Sequence, residues 1–210
     1  MYKVLIVEDD PMARKLLEIY LSDSDNYEVE KSIESAAMAE LYCLKKPIDL
    51  ILMDVCTAMD ANGLDAAAKI KKSFPKIKII IVTSQPECTF IDRARAAGVE
   101  SFWYKSASSE EIIEVMDRTM AGESVYPDTT PSLRLGEALN VDFTEKELLV
   151  LREVVDGEAD ADIAEKLGMS LRTVKAHIQN MRDKTGFRNR TELAVRVRES
   201  GLVINDHNTE

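Results

Sequence analysis

Apolar residues are spaced along this chain in two rhythms. Up to residue 121, short β-branched runs alternate with stretches of roughly ten residues whose apolar positions recur at helical spacing. The runs are KVLIV (3–7), YEVEKSI (27–33), DLILM (49–53), KIIIVT (78–83) and SFWYK (101–105). Near-continuous apolar runs predict strands buried on both faces, and strands alternating with helices predict a parallel sheet covered by helices on each side. Local signals agree: Asp10 before Pro11 suits a helix start, Gly98 a left-handed helix end, and Ser108 or Ser109 another start. From 122 to 142 the periodicity lapses over two prolines and two glycines. Thr144 and Glu147 then form a T-x-x-E capping box ahead of Leu148, Leu151 and Val155, and four short helices follow with breaks at Gly157, Gly168 and Gly186. The chain therefore divides into an α/β domain (1–121), a linker (122–138) and a small all-α domain (139–205).

Charge changes this picture only when counted by segment. The net charge of −11 argues against nucleic acid for the chain as one object, yet residues 166–198 hold nine Lys or Arg against two acids. Residues 145–165 hold two against eight, so the last third is polarised. Three cysteines without CxxC spacing suggest neither a disulfide framework nor a zinc site, and fit a reduced cytosol. No apolar stretch approaches the roughly 20 residues that span a bilayer, and MYKVLIVEDD meets acids too early for a signal peptide, so the expectation is a soluble, cytoplasmic protein with no membrane partner.

Ligands of open α/β sheets bind beyond the carboxyl ends of the strands, where strand order reverses. In a flavodoxin-like order that point lies between strands 1 and 3, which end at Glu8, Asp9 and Asp10 and at Asp54. Carboxylates gathered in one crevice repel one another unless a cation shares them, and oxygen-only ligands favour a hard ion, Mg²⁺. Asp10 serves equally well as a plain helix cap. Strands 4 and 5 bring Thr83 and Lys105 to the same edge. Acids, metal, hydroxyl and ammonium together make a place to form and hold an aspartyl phosphate.

In the tail, DADIAEKLGMSLRTVKAHIQNMRDKT (160–185) reads as helix, tight turn, helix. Val174, Ile178 and Met181 point inward, and Arg172, Thr173, Lys175, Ala176 and Gln179 point outward. Such a face suits a major groove: Lys175 and Gln179 reach base edges, Ala176 permits close approach, and Arg172 and Thr173 lie near phosphates of double-stranded DNA. His177, beside the apolar stripe, reads as a packed or half-exposed side chain.

The first 121 residues resemble a two-component receiver domain, through VEDDPMAR, LILMD, IVTS and FWYK. The resemblance implies Asp54 as the phosphoacceptor, served by a sensor histidine kinase, and Glu8, Asp9, Asp54 and the backbone carbonyl of Cys56 as the Mg²⁺ site. It also implies Thr83 as the switch hydroxyl, Lys105 as the phosphate-pairing lysine and Phe102 as the switch aromatic. The tail, from FTEKELLVL to RNRTELA, resembles the LuxR-type helix-turn-helix of the NarL/FixJ response regulators. By that resemblance the final helix pairs two copies on a two-fold site when phosphorylated, through Leu193, Ala194 and Val197, which serve equally well as ordinary core.

The sequence departs from the receiver pattern in CTAMDANG (56–63), which lacks a proline and places Gly63 nine positions after Asp54 rather than eight. One alternative is therefore a phosphorylation-independent regulator whose altered loop cannot hold metal. A haloacid-dehalogenase-type phosphatase would need a second Asp at position 56, where Cys56 stands. Cys56 and Gln85 occupy the positions that tune hydrolysis in the family, and a thiol is a poor partner for water, so slow self-dephosphorylation is expected.

Overall fold

The computed structural model describes residues 1–59, 61–105 and 111–203. Ser108 and Ser109, read as a helix start, lie outside the described residues. Contacts divide the described residues into two compact units, the first comprising Met1–Ser84 and Phe90–Asp128 and the second Gln85–Thr89 with 129–203.

The first unit is built on five parallel strands: β1 (Tyr2–Val7), β2 (Tyr27–Ile33), β3 (Leu50–Met53), β4 (Lys78–Thr83) and β5 (Ser101–Tyr104). Their spatial order is β2–β1–β3–β4–β5, the flavodoxin-like doubly wound arrangement. Five helices accompany them: α1 (Pro11–Ser22), α2 (Ala39–Lys45), α3 (Gly63–Ser73), α4 (Phe90–Ala96) and α5 (Ile112–Met120). The strands are apolar throughout because helices cover both faces: every residue of Leu50–Met53 is buried, as are Val4–Val7 and Ile79–Val82. Along one face, Val4, Ile6, Leu52 and Val82 pack against Leu17 and Leu21 of α1 and Val115 and Met116 of α5. Asp10 caps α1 by accepting from the Ala13 amide at 2.7 Å, with Pro11 as the first helical residue.

The second unit contains α6 (Glu145–Asp156), α7 (Asp160–Lys166), α8 (Leu171–Thr185) and α9 (Arg190–Ser200). Thr144 caps α6 in a closed box with Glu147, and Ser170 caps α8 by accepting from the Thr173 amide. The glycines foreseen as breaks are left-handed, Gly157 at φ 92°, Gly168 at 62° and Gly186 at 74°. Leu148, Leu151, Val154, Ile163, Val174, Ile178, Met181, Leu193 and Val197 form one core.

Two regions depart from the sequence reading. The segment read as linker is ordered at both ends: Val125 is buried in the first unit, and Arg134–Leu135 pairs antiparallel with Ala138–Leu139 in the second, where Leu135 and Ala138 enter the core. Gly136 turns this pair at φ 61° with the Thr185 carbonyl oxygen 2.0 Å from where a Cβ would sit. Two-residue strands carry no alternation that a sequence pattern can register. The altered loop after Asp54 likewise folds as a miniature hairpin, Cys56–Thr57 against Ala61–Asn62.

Candidate functional site

The parallel register aligns the carboxyl ends of the central strands. Val7 lies beside Met53 and Met53 beside Ile81, while Thr83 pairs with Tyr104. The next residues therefore emerge at one edge: Asp54, whose amide donates to the Val7 carbonyl at 2.9 Å, and Lys105, whose amide donates to the Thr83 carbonyl at 2.9 Å. Sequence reasoning foresaw this convergence, and the structure brings Glu8, Asp9, Asp54 and Lys105 together.

Asp54 is 6% exposed and Glu8 1%. The Lys105 ammonium lies 2.9 Å from Asp54 Oδ2 and 2.5 Å from Glu8 Oε2, and the Val55 amide donates to Asp54 Oδ1 at 2.7 Å. Burial, reinforced by the Asp54 charge, pushes the Glu8 carboxyl up to about 7 against the pull of Lys105. Burial also raises Asp54, with Lys105 and the Val55 amide opposing it. Burial alone would lower Lys105, but the two carboxylates outweigh it and hold the ammonium above its ordinary value. One cation thus serves two buried acids, a shortage of positive charge that a divalent ion would relieve.

Carboxylate oxygens of Glu8, Asp9 and Asp54 lie within 4.8 Å of one another. All are hard donors, and Asp9 is exposed, leaving a way in from solvent. The residues fit Mg²⁺ on donor chemistry and spacing. Asp10 is outside this cluster and acts as the α1 cap. A residue the sequence reading missed is Arg14: it donates to the carbonyls of Glu8 (2.7 Å) and Asp9 (3.4 Å) and pairs with Glu34 at 3.2 Å. Its place one helical turn into α1 was visible, but its reach back to the acidic turn was not.

The altered loop folds back so that Gly63 reaches Asp54. Within this loop Met59 takes a left-handed φ of 68°. Thr57 Oγ1 ties the hairpin, donating to the Ala61 carbonyl at 2.6 Å and accepting from the Ala36 amide at 2.9 Å. Gly63 then sits directly against Asp54: its amide donates to the Val55 carbonyl, and a Cβ there would lie 1.8 Å from the Asp54 carbonyl oxygen. Cys56, whose carbonyl was assigned to the metal by resemblance, opens the hairpin, and its thiol is half-buried. Thr83 is fully buried. Phe102 is 2% exposed, packed against the rings of Tyr104 (4.9 Å) and Tyr126 (6.3 Å). Gln85 belongs to the second unit.

In the second unit, α8 turns Val174, Ile178 and Met181 into the core and leaves Arg172, Thr173, Lys175, Ala176 and Gln179 exposed. His177 is half-buried. Gln179 is already engaged along the helix, donating to Asp183 at 2.7 Å and accepting from Arg182 at 3.0 Å. In α9, Leu193 and Val197 are fully buried in the core of their own unit and the half-buried Ala194 packs against it, which fits the ordinary-core alternative left open for them. The outward side carries Val195, 48% exposed, with Thr191, Glu192, Arg196 and Glu199 lining a shallow hollow.

A doubly wound domain that gathers buried acids, a lysine and a threonine at its strand ends, in one chain with a helical unit exposing a basic helix, is the build of a receiver joined to a DNA-reading module. Comparison with known proteins agrees. The family model for the response regulator receiver domain matches residues 4–117, and that for bacterial regulatory proteins of the luxR family matches 141–197. The response regulator protein VraR of Staphylococcus aureus is 32% identical over 208 residues, covering 96% of this chain and 98% of that protein. RcsB of Salmonella enterica serovar Typhimurium, solved on promoter rprA with phosphomimetic BeF3⁻, shares the fold at TM-score 0.59 and 18% identity, covering 97% of this chain and 100% of RcsB. A LuxR-family response regulator from Aurantimonas sp. SI85-9A1 aligns at TM-score 0.54 and 23% identity, over 61% of this chain and 89% of its own. The chain belongs to the two-component response regulators of the LuxR type. It is a DNA-binding transcriptional regulator of the phosphorylation-controlled class and not an enzyme. Among the described residues no helix is long and apolar enough to cross a membrane.

Proposed function

We propose that Asp54 accepts a phosphoryl group from a sensor histidine kinase and that the aspartyl phosphate, formed in the cytoplasm, promotes dimerisation and binding to promoter DNA. The observation that carries this reading is the single buried ammonium of Lys105 shared by Asp54 and Glu8 at 2.9 and 2.5 Å. In the transfer, an Asp54 carboxylate oxygen attacks phosphorus, the new O–P bond forms, and the donor's P–N bond to histidine breaks. Lys105 can follow the negative charge from the carboxylate to the phosphoryl oxygens, and Thr83 can donate its hydroxyl to one of them. Glu8, Asp9, Asp54 and the Cys56 carbonyl would hold Mg²⁺, which supplies charge neutralisation at the phosphoryl oxygens.

The phosphorylation-independent alternative rested on the altered 56–63 loop. The compact hairpin and the Gly63–Asp54 contact support the phosphorylated reading instead. For DNA, the exposure of Arg172, Thr173, Lys175, Ala176 and Gln179 supports their assignment to the groove and phosphates. The DNA-bound RcsB dimers support pairing on a two-fold site, for which this chain offers the Val195 side of α9. Fluorescence anisotropy with a labelled promoter fragment tests the whole reading: acetyl phosphate with Mg²⁺ should tighten binding of the wild type and leave Asp54→Asn unchanged. Equal tightening in both would refute it.

A further inference from the structure

In the sheet order β5 stands at an edge, next to β4 only. An edge strand exposes a row of backbone groups and needs a cover. Here the cover comes from the chain just after α5. The Phe102 amide donates to the Val125 carbonyl at 2.8 Å, and the Val125 amide donates to Ser101 Oγ at 3.1 Å. That hydroxyl is fixed in turn by the buried hydroxyl of Thr119 at 2.6 Å. Side chains alternate as they would on a strand. Val125 enters the core shared with Val115 and Met116, whereas Tyr126 comes to the Phe102 ring at 6.3 Å. The Tyr126 hydroxyl donates to the Val99 carbonyl at 2.8 Å, and the Arg95 guanidinium lies 4.7 Å over its ring.

This places Tyr126 at the end of a packed row beginning at the phosphoacceptor edge. Thr83 is the sheet partner of Tyr104, and Ile81 of Phe102, so these four side chains share one face. Tyr104 and Phe102 are in ring contact at 4.9 Å. A phosphoryl group on Asp54 brings acceptor oxygens that draw the Thr83 hydroxyl, and the volume Thr83 leaves lies beside Tyr104. Close-packed rings follow such a vacancy, because a void forfeits contacts on its whole lining.

We propose that Val125–Tyr126 is a strap that reads the position of Phe102: docked while Phe102 packs against Tyr126, and released when the row shifts toward Thr83. The inference deepens the Asp54 reading and rests on it for its trigger. Four residues, 125–128, run from the strap's start to the end of the first unit. Their release adds roughly 14 Å of extended reach to the tether of the DNA-reading unit. The strap thereby converts a change in ring packing into a change in the freedom of the second unit to pair on DNA.

The test is residue-resolved amide exchange by NMR on the full chain. In unphosphorylated Phe102→Leu, exchange at Val125 and at position 102 should rise about tenfold while Leu52 and Val4 in the sheet interior stay protected. Unchanged protection at both positions overturns the strap. In wild type carrying a phosphoryl adduct verified by intact mass, the same two amides should lose protection. An adduct with full protection overturns the strap and leaves the Asp54 reading standing. Failure to form any adduct strikes the Asp54 reading alone, and the Phe102→Leu result then decides for or against the coupling of strap to ring.

Discussion

At the scale of the residue, the phosphoacceptor is defined by what surrounds one carboxylate. Gly63 shows how tight that surrounding is, since a methyl group there would fall 1.8 Å from the Asp54 carbonyl oxygen and 3.0 Å from Met53 Cγ. Gly63→Ala should therefore cost about 1–3 kcal/mol in urea unfolding and displace Asp54 enough to slow acetyl-phosphate labelling about a hundredfold. Normal labelling in a stably folded variant would contradict that contact's importance. Glu8 gives a pH signature. Its carboxyl is held up to about 7 by burial and the Asp54 charge, so the apo chain keeps a proton where a cation needs an anion. Mg²⁺ affinity measured by calorimetry should fall about tenfold from pH 8 to pH 6. For folding, a raised carboxyl favours the native state below its unfolded value near 4.5, an advantage lost as pH climbs through 7. A flat Mg²⁺ profile would mean that Glu8 is not a ligand.

At the scale of the element, the chain's local signals were legible where they repeat and silent where they do not. All five strands lie where β-branched runs put them, and α6 to α8 end at or just before the foreseen glycines, because period and punctuation are sequence properties. The T-x-x-E box at the start of α6 was equally readable, but its other partner was not. Glu147, 3% exposed, also accepts from Lys184 at 2.7 Å, joining the start of α6 to the end of α8 across 37 positions. Burial would raise this carboxyl, yet Lys184 and Thr144 together hold it below the usual range. Glu147→Ala should lower the stability of the second unit by about 1–3 kcal/mol, seen as a lower midpoint in chemical denaturation, with little change in acetyl-phosphate labelling of Asp54. The alternative left open for α9 has the same origin as the missed Lys184. Leu193 and Val197 sit at helical spacing whether they face a second copy or their own core, and only tertiary packing distinguishes the two. The Val125–Tyr126 strap and the 56–62 hairpin escaped notice because each is only one or two residues of pairing.

At the scale of the whole molecule, the average charge of −11 conceals a division of labour between an acidic receiver and a basic reading face. That division makes DNA binding strongly salt-dependent. Arg172→Ala should weaken binding about equally on all sequences and reduce the slope of log affinity against log salt by about 1, whereas Gln179→Ala should relax base preference at one position. Equal effects of both variants on slope and preference would contradict the split between phosphate and base contacts. The central claim is simpler than any of these: Asp54 is where the signal enters. Intact mass after incubation with acetyl phosphate and Mg²⁺ tests it most directly, for wild type and Asp54→Asn side by side. One phosphoryl adduct on the wild type and none on the variant is the expected result. An adduct that persists in Asp54→Asn, or a correctly folded wild type that takes none, would contradict it.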